Sequence, residues 1–203
     1  MMNKVKICGI TNFKDALACA KLKVDLIGFI FYSKSPRYLE LEKAKDICNQ
    51  LENYEIKKVG VFVNETIEKV NQIGEELDLD FIQLHGNEDH NYIEKIKFKT
   101  IKAFSVREQI TSQYNSFKST YWLFDTYDKD LHGGTGKSFD WNLISKINNR
   151  KKIILSGGLS IDNIKDAMKE SNTSFFDICS GVEKTPGTKD IKKLETIVRL
   201  IKQ

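Results

Sequence analysis

The sequence predicts an α/β fold, a (β/α)8 TIM barrel forming a single domain over residues 1–203, and three observations predict it. Eight short runs rich in Val, Ile and Phe recur along the chain, longer amphipathic segments follow most of them, and the runs are mostly continuous rather than alternating. Continuous apolar runs mark strands covered on both faces, as in a parallel sheet wrapped by helices. Eight strand–helix units in 203 residues leave about 25 residues each, compact but feasible for a barrel whose lower size is roughly 200. An open doubly wound sheet would read similarly, so periodicity alone leaves both open. No linker divides the chain, and its two prolines, Pro36 and Pro186, fall in expected loops.

Taken in order, the first strand is expected at Val5–Cys8, with a helix over Phe13–Leu22 behind it. Strand Leu26–Phe31 leads to helix Leu41–Leu51, and Val59–Val63 to helix Ile67–Leu77. Phe81–Leu84 precedes the shorter helix Tyr92–Ile96, and Thr100–Phe104 precedes Glu108–Tyr114, a weaker segment read as an irregular fifth helix. Strand Trp122–Asp125 is followed at a distance by helix Asn142–Ile147. Lys152–Ser156 with Asp162–Glu170, and Phe176–Cys179 with Lys192–Ile201, complete the series.

Composition excludes several classes of function. The formal charge of +4 comes from 32 basic and 28 acidic residues spread along the chain. No basic block is interleaved with aromatics, so neither nucleic acid nor a membrane surface is an expected partner. A small phosphorylated molecule suits the mild positive excess better. The cysteines Cys8, Cys19, Cys48 and Cys179 lie far apart, with no CxxC pair and no histidine at metal spacing, so neither a disulfide framework nor a metal site is expected. Met1-Met2-Asn3-Lys4 runs directly into the first strand without the apolar stretch of a signal peptide. A soluble cytoplasmic protein, a monomer or weak homodimer, is the expectation.

In a barrel the active site lies at the carboxyl ends of the strands, and the unusual residues collect there. Cys8 ends the first strand beside Gly9, Arg37 follows the second in Ser35-Pro36-Arg37, and His85 ends the fourth. Asp125 ends the sixth, Ser156-Gly157-Gly158 the seventh and Ser180-Gly181 the eighth. A thiol at a strand end is either a small buried hydrophobe or a nucleophile or base. Asp125 is a loop cap or an acid facing that thiol. Arg37 is a surface charge or a planar fork for a carboxylate, and His85 is a loop histidine or a ligand contact. Gly157, Gly158, Ser180 and Gly181 are tight turns or open backbone amides for a phosphate, commonly bound after strands seven and eight of barrels. Gly133-Gly134-Thr135-Gly136 lies in a long segment suited to closing over a ligand. It lacks the strand-to-helix context of a nucleotide-binding loop.

These motifs together resemble the phosphoribosylanthranilate isomerase family. Lys6-Ile7-Cys8-Gly9-Ile10-Thr11, Ser35-Pro36-Arg37, Gln83-Leu84-His85-Gly86 and the run from Gly133 to Trp141 occur in the family's order. Ser156-Gly157-Gly158-Leu159, Ser180-Gly181-Val182-Glu183, Pro186-Gly187 and Lys189-Asp190 continue it to the last helix. The resemblance implies an Amadori rearrangement of N-(5-phosphoribosyl)anthranilate to the 1-deoxyribulose 5-phosphate isomer in tryptophan biosynthesis. It implies Cys8 as general base, Asp125 as general acid, Arg37 on the substrate carboxylate, and Gly157, Gly158, Ser180 and Gly181 on the phosphate. Two positions depart from the pattern: Cys179, where Ser or Asn is expected, and Ile161, where a proline often opens the seventh helix, which Ser160 can still cap.

The chemistry fits these residue types. Ring opening needs an acid at the furanose oxygen, and the Schiff base then needs a base to take the C2′ proton. Cys8 must be thiolate for this, whereas a free thiol of pKa about 8.5 is only a few per cent ionised at neutrality. Only protons move, so no cofactor is expected. The rivals are another phosphate-binding barrel enzyme, such as a sugar-phosphate epimerase or the histidine-pathway isomerase, and a catalytically silent barrel serving as a binding partner.

Overall fold

The computed structural model describes residues 3–126 and 139–203. Eight parallel strands follow one another in chain order: β1 (Lys4–Cys8), β2 (Leu26–Ile30), β3 (Lys57–Phe62), β4 (Phe81–Leu84), β5 (Lys99–Val106), β6 (Tyr121–Thr126), β7 (Ile153–Leu155) and β8 (Phe175–Ile178). The last pairs with the first, in the register Lys6↔Asp177 and Ile7↔Ile178. That closure makes the sheet a barrel and removes the open doubly wound alternative. The Gly133–Gly136 cluster and His132 lie outside the described residues.

Helices α1 (Phe13–Lys21), α2 (Leu41–Gln50), α3 (Ile67–Glu76), α4 (His90–Glu94), α5 (Asn142–Ser145), α6 (Ile164–Ser171) and α7 (Ile191–Lys202) surround the barrel. Their starts are written locally. Asn12, Thr66, Asp89 and Asp190 accept hydrogen bonds from backbone N–H groups in the first turns of α1, α3, α4 and α7, satisfying donors that a helix leaves unpaired. The weak helix expected at Glu108–Tyr114 is instead a 3-10 turn over Ser112–Ser116. Tyr114 is the one buried side chain of this segment, which therefore offers no repeating apolar face. Ser160 does not cap this helix as expected: its hydroxyl accepts from Asp162 N–H at 3.3 Å in the preceding turn, and α6 begins at Ile164 with Asn163 at the cap position. After β8 the chain also forms a hairpin of β9 (Glu183–Thr185) and β10 (Thr188–Lys189). Among the described residues no helix is long and apolar enough to cross a membrane.

Period-two alternation along each strand sorts the core into two bodies. Val5, Ile7, Phe29, Phe62, Ile82, Phe124, Leu155 and Phe176 point outward and pack under the helices. Leu26, Val59, Phe81, Ile101, Leu123, Ile154 and Phe175 point inward and fill the barrel. The floor is aromatic: Tyr121 lies 5.8 Å from Phe81 and 5.3 Å from Phe175, ring centre to ring centre. These floor residues come from alternate strands, as layered barrel interiors require. Two residues further along the same strands stand Gln83, Leu123 and Asp177, and two further again His85, Asp125 and Cys179. The interior therefore grades from aromatic at the bottom to ionisable at the mouth.

Leu123 is fully buried in the middle of this interior. Leu123→Ala should lower the unfolding free energy by about 2–5 kcal/mol, the usual loss for a buried leucine, read as a lower urea midpoint. A change under about 0.5 kcal/mol, the scale of surface substitutions, would show that the barrel interior is not packed as described.

Candidate active site

At the carboxyl ends of the strands opens a cleft of about 680 Å³, counted to its mouth. Of the eight residues singled out in the sequence, Cys8, Arg37, His85, Asp125, Gly157, Gly158 and Ser180 line it. Gly181 lies just behind, against the Leu159 carbonyl oxygen, where a side chain would have no room. Residues up to 172 positions apart are thus gathered by barrel closure, because each stands at or just after a strand end.

Cys8 sits on the inner face of β1, and its backbone carbonyl accepts from the Lys189 ammonium at 2.6 Å. Two residues earlier on the same face, Lys6 is completely buried and ion-pairs with Asp177 at 2.8 Å. A Cβ on Gly28 would lie 2.9 Å from the Cys8 sulfur and 3.3 Å from Lys6 Nζ, so glycine there lets thiol and ammonium share one space. The hydrogen bond from the Cys179 thiol, then the positive charges of Lys6 and Lys189, outweigh burial and hold Cys8 well below the ordinary thiol range. Burial would strip Lys6 of its proton, but Asp177 and the Cys8 sulfur hold its pKa above the ordinary lysine value. Burial pushes the Asp177 carboxyl up to about 7 against the pull of Lys6, and its second oxygen has no partner among the described residues.

Asp125 reaches the cleft from the end of β6. Its Oδ1 accepts from the Thr126 amide at 2.8 Å, and its Oδ2 lies 3.3 Å from His85 Nε2. Behind the imidazole, His85 Nδ1 is 2.9 Å from the Gln83 amide nitrogen. Gly157, at φ +90°, brings its backbone against Asp125 and Thr126, where a Cβ would stand 2.8 Å from Oδ1. Gly158 follows at φ +65°. Both are left-handed conformations open to glycine at little cost, and neither amide donates to a backbone acceptor among the described residues.

Arg37 departs from the open fork expected of it. Its Nε donates to both Glu183 carboxylate oxygens at 3.0 and 3.1 Å, and its Nη2 to Oε2 at 2.7 Å. Burial disfavours the Glu183 charge, but Arg37 and Lys189 hold its pKa below the usual range. Glu183 also accepts from Lys189 Nζ at 3.0 Å and from the Gly187 amide at 3.1 Å. Lys6, Gln83, Glu183 and Lys189 stood in the sequence motifs without a role assigned, and Asp177 was not singled out. For Lys6, Gln83 and Asp177 a signal existed: each is a polar residue two places before an inward-facing residue of the cleft. Among the described residues no group of three or more His, Cys, Asp or Glu side chains is placed to hold a metal ion.

The chain is similar to known proteins along nearly its whole length. The profile of the family described as N-(5′-phosphoribosyl)anthranilate (PRA) isomerase matches residues 5–200. An N-(5′-phosphoribosyl)anthranilate isomerase of Aquifex aeolicus is 43% identical over 203 residues, covering 99% of each chain. The crystal structure of phosphoribosyl anthranilate isomerase from Thermotoga maritima superposes with a TM-score of 0.87 at 36% identity, over 99% of both chains. A phosphoribosyl anthranilate isomerase in complex with reduced 1-(o-carboxyphenylamino)-1-deoxyribulose 5-phosphate superposes with a TM-score of 0.82 at 35% identity, over 98% of this chain and 97% of the other.

The Glu183 carboxylate neutralises two buried cations, Arg37 and Lys189. Glu183→Gln keeps the shape but removes the charge, and should lower stability by about 3–5 kcal/mol, the cost of leaving a buried charge unpaired. Urea unfolding of both proteins measures it. Wild-type stability in the variant would mean that water screens the two cations without help from Glu183.

Proposed function

The chain belongs to the N-(5′-phosphoribosyl)anthranilate isomerase family, and from that premise we propose that it catalyses the family's Amadori rearrangement with Cys8 as general base and Asp125 as general acid. The observation that carries this reading is the pair itself: a thiol held ionised and a carboxyl, facing one cleft from the ends of β1 and β6. The substrate is N-(5-phosphoribosyl)anthranilate and the product 1-(o-carboxyphenylamino)-1-deoxyribulose 5-phosphate.

Asp125 protonates the furanose ring oxygen as the C1′–O bond breaks, leaving a Schiff base on the anthranilate nitrogen. The Cys8 thiolate then takes the C2′ proton, and the resulting enolamine tautomerises to the 2′-ketone. Oδ1 of Asp125 is engaged by the Thr126 amide, so Oδ2 carries the transferred proton. The Gln83 amide N–H donates to His85 Nδ1, so the imidazole directs its Nε2–H at Asp125 Oδ2. Gln83 and His85 act as positioning residues for the acid.

The Gly157 and Gly158 amides, with Ser180 and Gly181 opposite, offer backbone donors for the phosphate. Arg37 directs its remaining nitrogen, Nη1, at the anthranilate carboxylate while Glu183 holds the guanidinium plane. Lys6 stabilises the Cys8 thiolate from below, where low dielectric strengthens its field.

Two variants test the acid–base assignment. Cys8→Ser and Asp125→Asn should stay folded and lose turnover by about 10²–10⁴, the range for a removed general acid or base, measured by appearance of the ketose product. Near-wild-type turnover in either folded variant removes that residue from the mechanism.

The role of Lys6 has its own readout. A depressed thiol stays ionised above its own pKa and is lost only as pH falls through it. Iodoacetamide should therefore label Cys8 with a pH midpoint below the roughly 8.5 of a free thiol. In Lys6→Met combined with Asp177→Asn, which leaves no buried charge unpaired, the midpoint should rise. An unmoved midpoint would show that the ammonium does not hold the thiolate.

A further inference from the structure

Cys8 ends β1 and Cys179 directly follows β8, each one position beyond the last pair between these strands, Ile7 and Ile178. Neighbouring strands run about 4.8 Å apart, within the Cα separation of roughly 4.4–6.8 Å that a disulfide spans. Alternation turns both side chains inward, into the same interior cluster and the same cleft. Their thiols oppose each other electrostatically: the Cys179 thiol favours the ionised form of Cys8, and Cys8 holds the proton on Cys179. Cys179 is partly exposed, so the pair is reachable from the cleft mouth.

We propose that Cys8 and Cys179 form a reactive dithiol in this cleft, a modification site that takes peroxides and closes to a reversible disulfide. In the first step the Cys8 thiolate attacks one peroxide oxygen. The O–O bond breaks, the sulfur is oxidised by two electrons to a sulfenic acid, and the departing hydroxide or alkoxide takes a proton from solvent and leaves as water or an alcohol. In the second step the Cys179 sulfur attacks the Cys8 sulfur. An S–S bond forms, the S–O bond breaks, and the departing hydroxide takes up the Cys179 proton as water. An external dithiol returns two electrons and two protons and restores both thiols.

The surroundings favour both steps. Lys6 sustains the thiolate needed for the first. Cys179 keeps its proton because it donates to the Cys8 sulfur, and oxidation of Cys8 removes the anion that holds that proton. Lys189 Nζ, 2.6 Å from the Cys8 carbonyl and 3.2 Å from the Cys179 carbonyl, leaves a positive charge beside both residues. The other two thiols have no such setting. Burial pushes Cys19, on α1, up to about 12 and Cys48, on α2, up to about 11. The effect on isomerase turnover rests on the reading of Cys8 as the base, whereas the disulfide itself does not.

Hydrogen peroxide added to the full-length protein tests the site, with intact mass, peptide mapping and isomerase activity read together. The expected result is a mass loss of two hydrogens, a peptide joining Cys8 to Cys179, and turnover that disappears and returns with dithiothreitol. Cys19→Ser and Cys48→Ser should cross-link as the wild type does. In Cys179→Ser, Cys8 should instead gain two oxygens as a sulfinic acid that dithiothreitol does not reverse. Wild-type protein that accumulates sulfinic acid at Cys8 without the cross-link, or Cys179→Ser that recovers fully, overturns the proposal. A cross-link forming while Cys8→Ser retains turnover supports the dithiol and overturns only the general-base reading. Absence of the cross-link with an inactive Cys8→Ser does the reverse.

Discussion

Sealing the sheet between β1 and β8 places the Lys6 ammonium inside the barrel, wholly removed from solvent. An isolated cation there would cost several kcal/mol, so its neighbours must supply negative charge. Asp177 supplies one at 2.8 Å, and the Cys8 sulfur, above it on the same strand face, supplies another. A buried ion pair is weak evidence for stability, since its Coulomb energy barely offsets its desolvation. What the arrangement gains is a fixed positive field beneath a thiol, present before any ligand arrives. The Gly28 backbone leaves the space that lets ammonium and sulfur meet.

The same alternation that buries Lys6 grades the whole interior. Strands β4, β6 and β8 each begin inward with an aromatic, Phe81, Tyr121 and Phe175, and end at the rim with His85, Asp125 and, just past β8, Cys179. The floor rings touch one another, so the lower barrel is a packed solid on which the reactive groups stand. Rigid support of this kind holds a catalytic pair within the narrow tolerance that proton transfer demands.

A second set of buried charges fastens the rim. Glu183, just after β8, receives Arg37 from the loop after β2 and Lys189 from β10. Lys189 in turn donates its backbone N–H to Asp15 of α1 at 2.8 Å, and the Thr11 hydroxyl donates to the Gly187 carbonyl. The β9–β10 hairpin therefore works as a clasp between the last strand and the first helix. One carboxylate holds both cations, which orients Arg37 toward the cleft instead of leaving it free on the surface.

Much of this was legible in the sequence because it depends on local chemistry. Continuous apolar runs announced strands covered on both faces, and Cys8, Asp125 and Gly157-Gly158 stood out at strand ends. Two elements escaped for equally local reasons: the 3-10 turn at Ser112–Ser116 was read as a weak helix, where Tyr114 alone gives no decisive period, and the hairpin after β8, only five strand residues long, was not read at all. The partners were not legible at all. Lys6 and Asp177 are 171 positions apart, Arg37 and Glu183 are 146 apart, and Lys189 lies 181 from the Cys8 carbonyl that it binds. The sequence by itself determined which side chains face inward and which strand ends carry ionisable groups, because that follows from a two-residue period. Only closure of the barrel decided which of them meet, because the register between β1 and β8 is set by packing around the full circle and by nothing local to either strand.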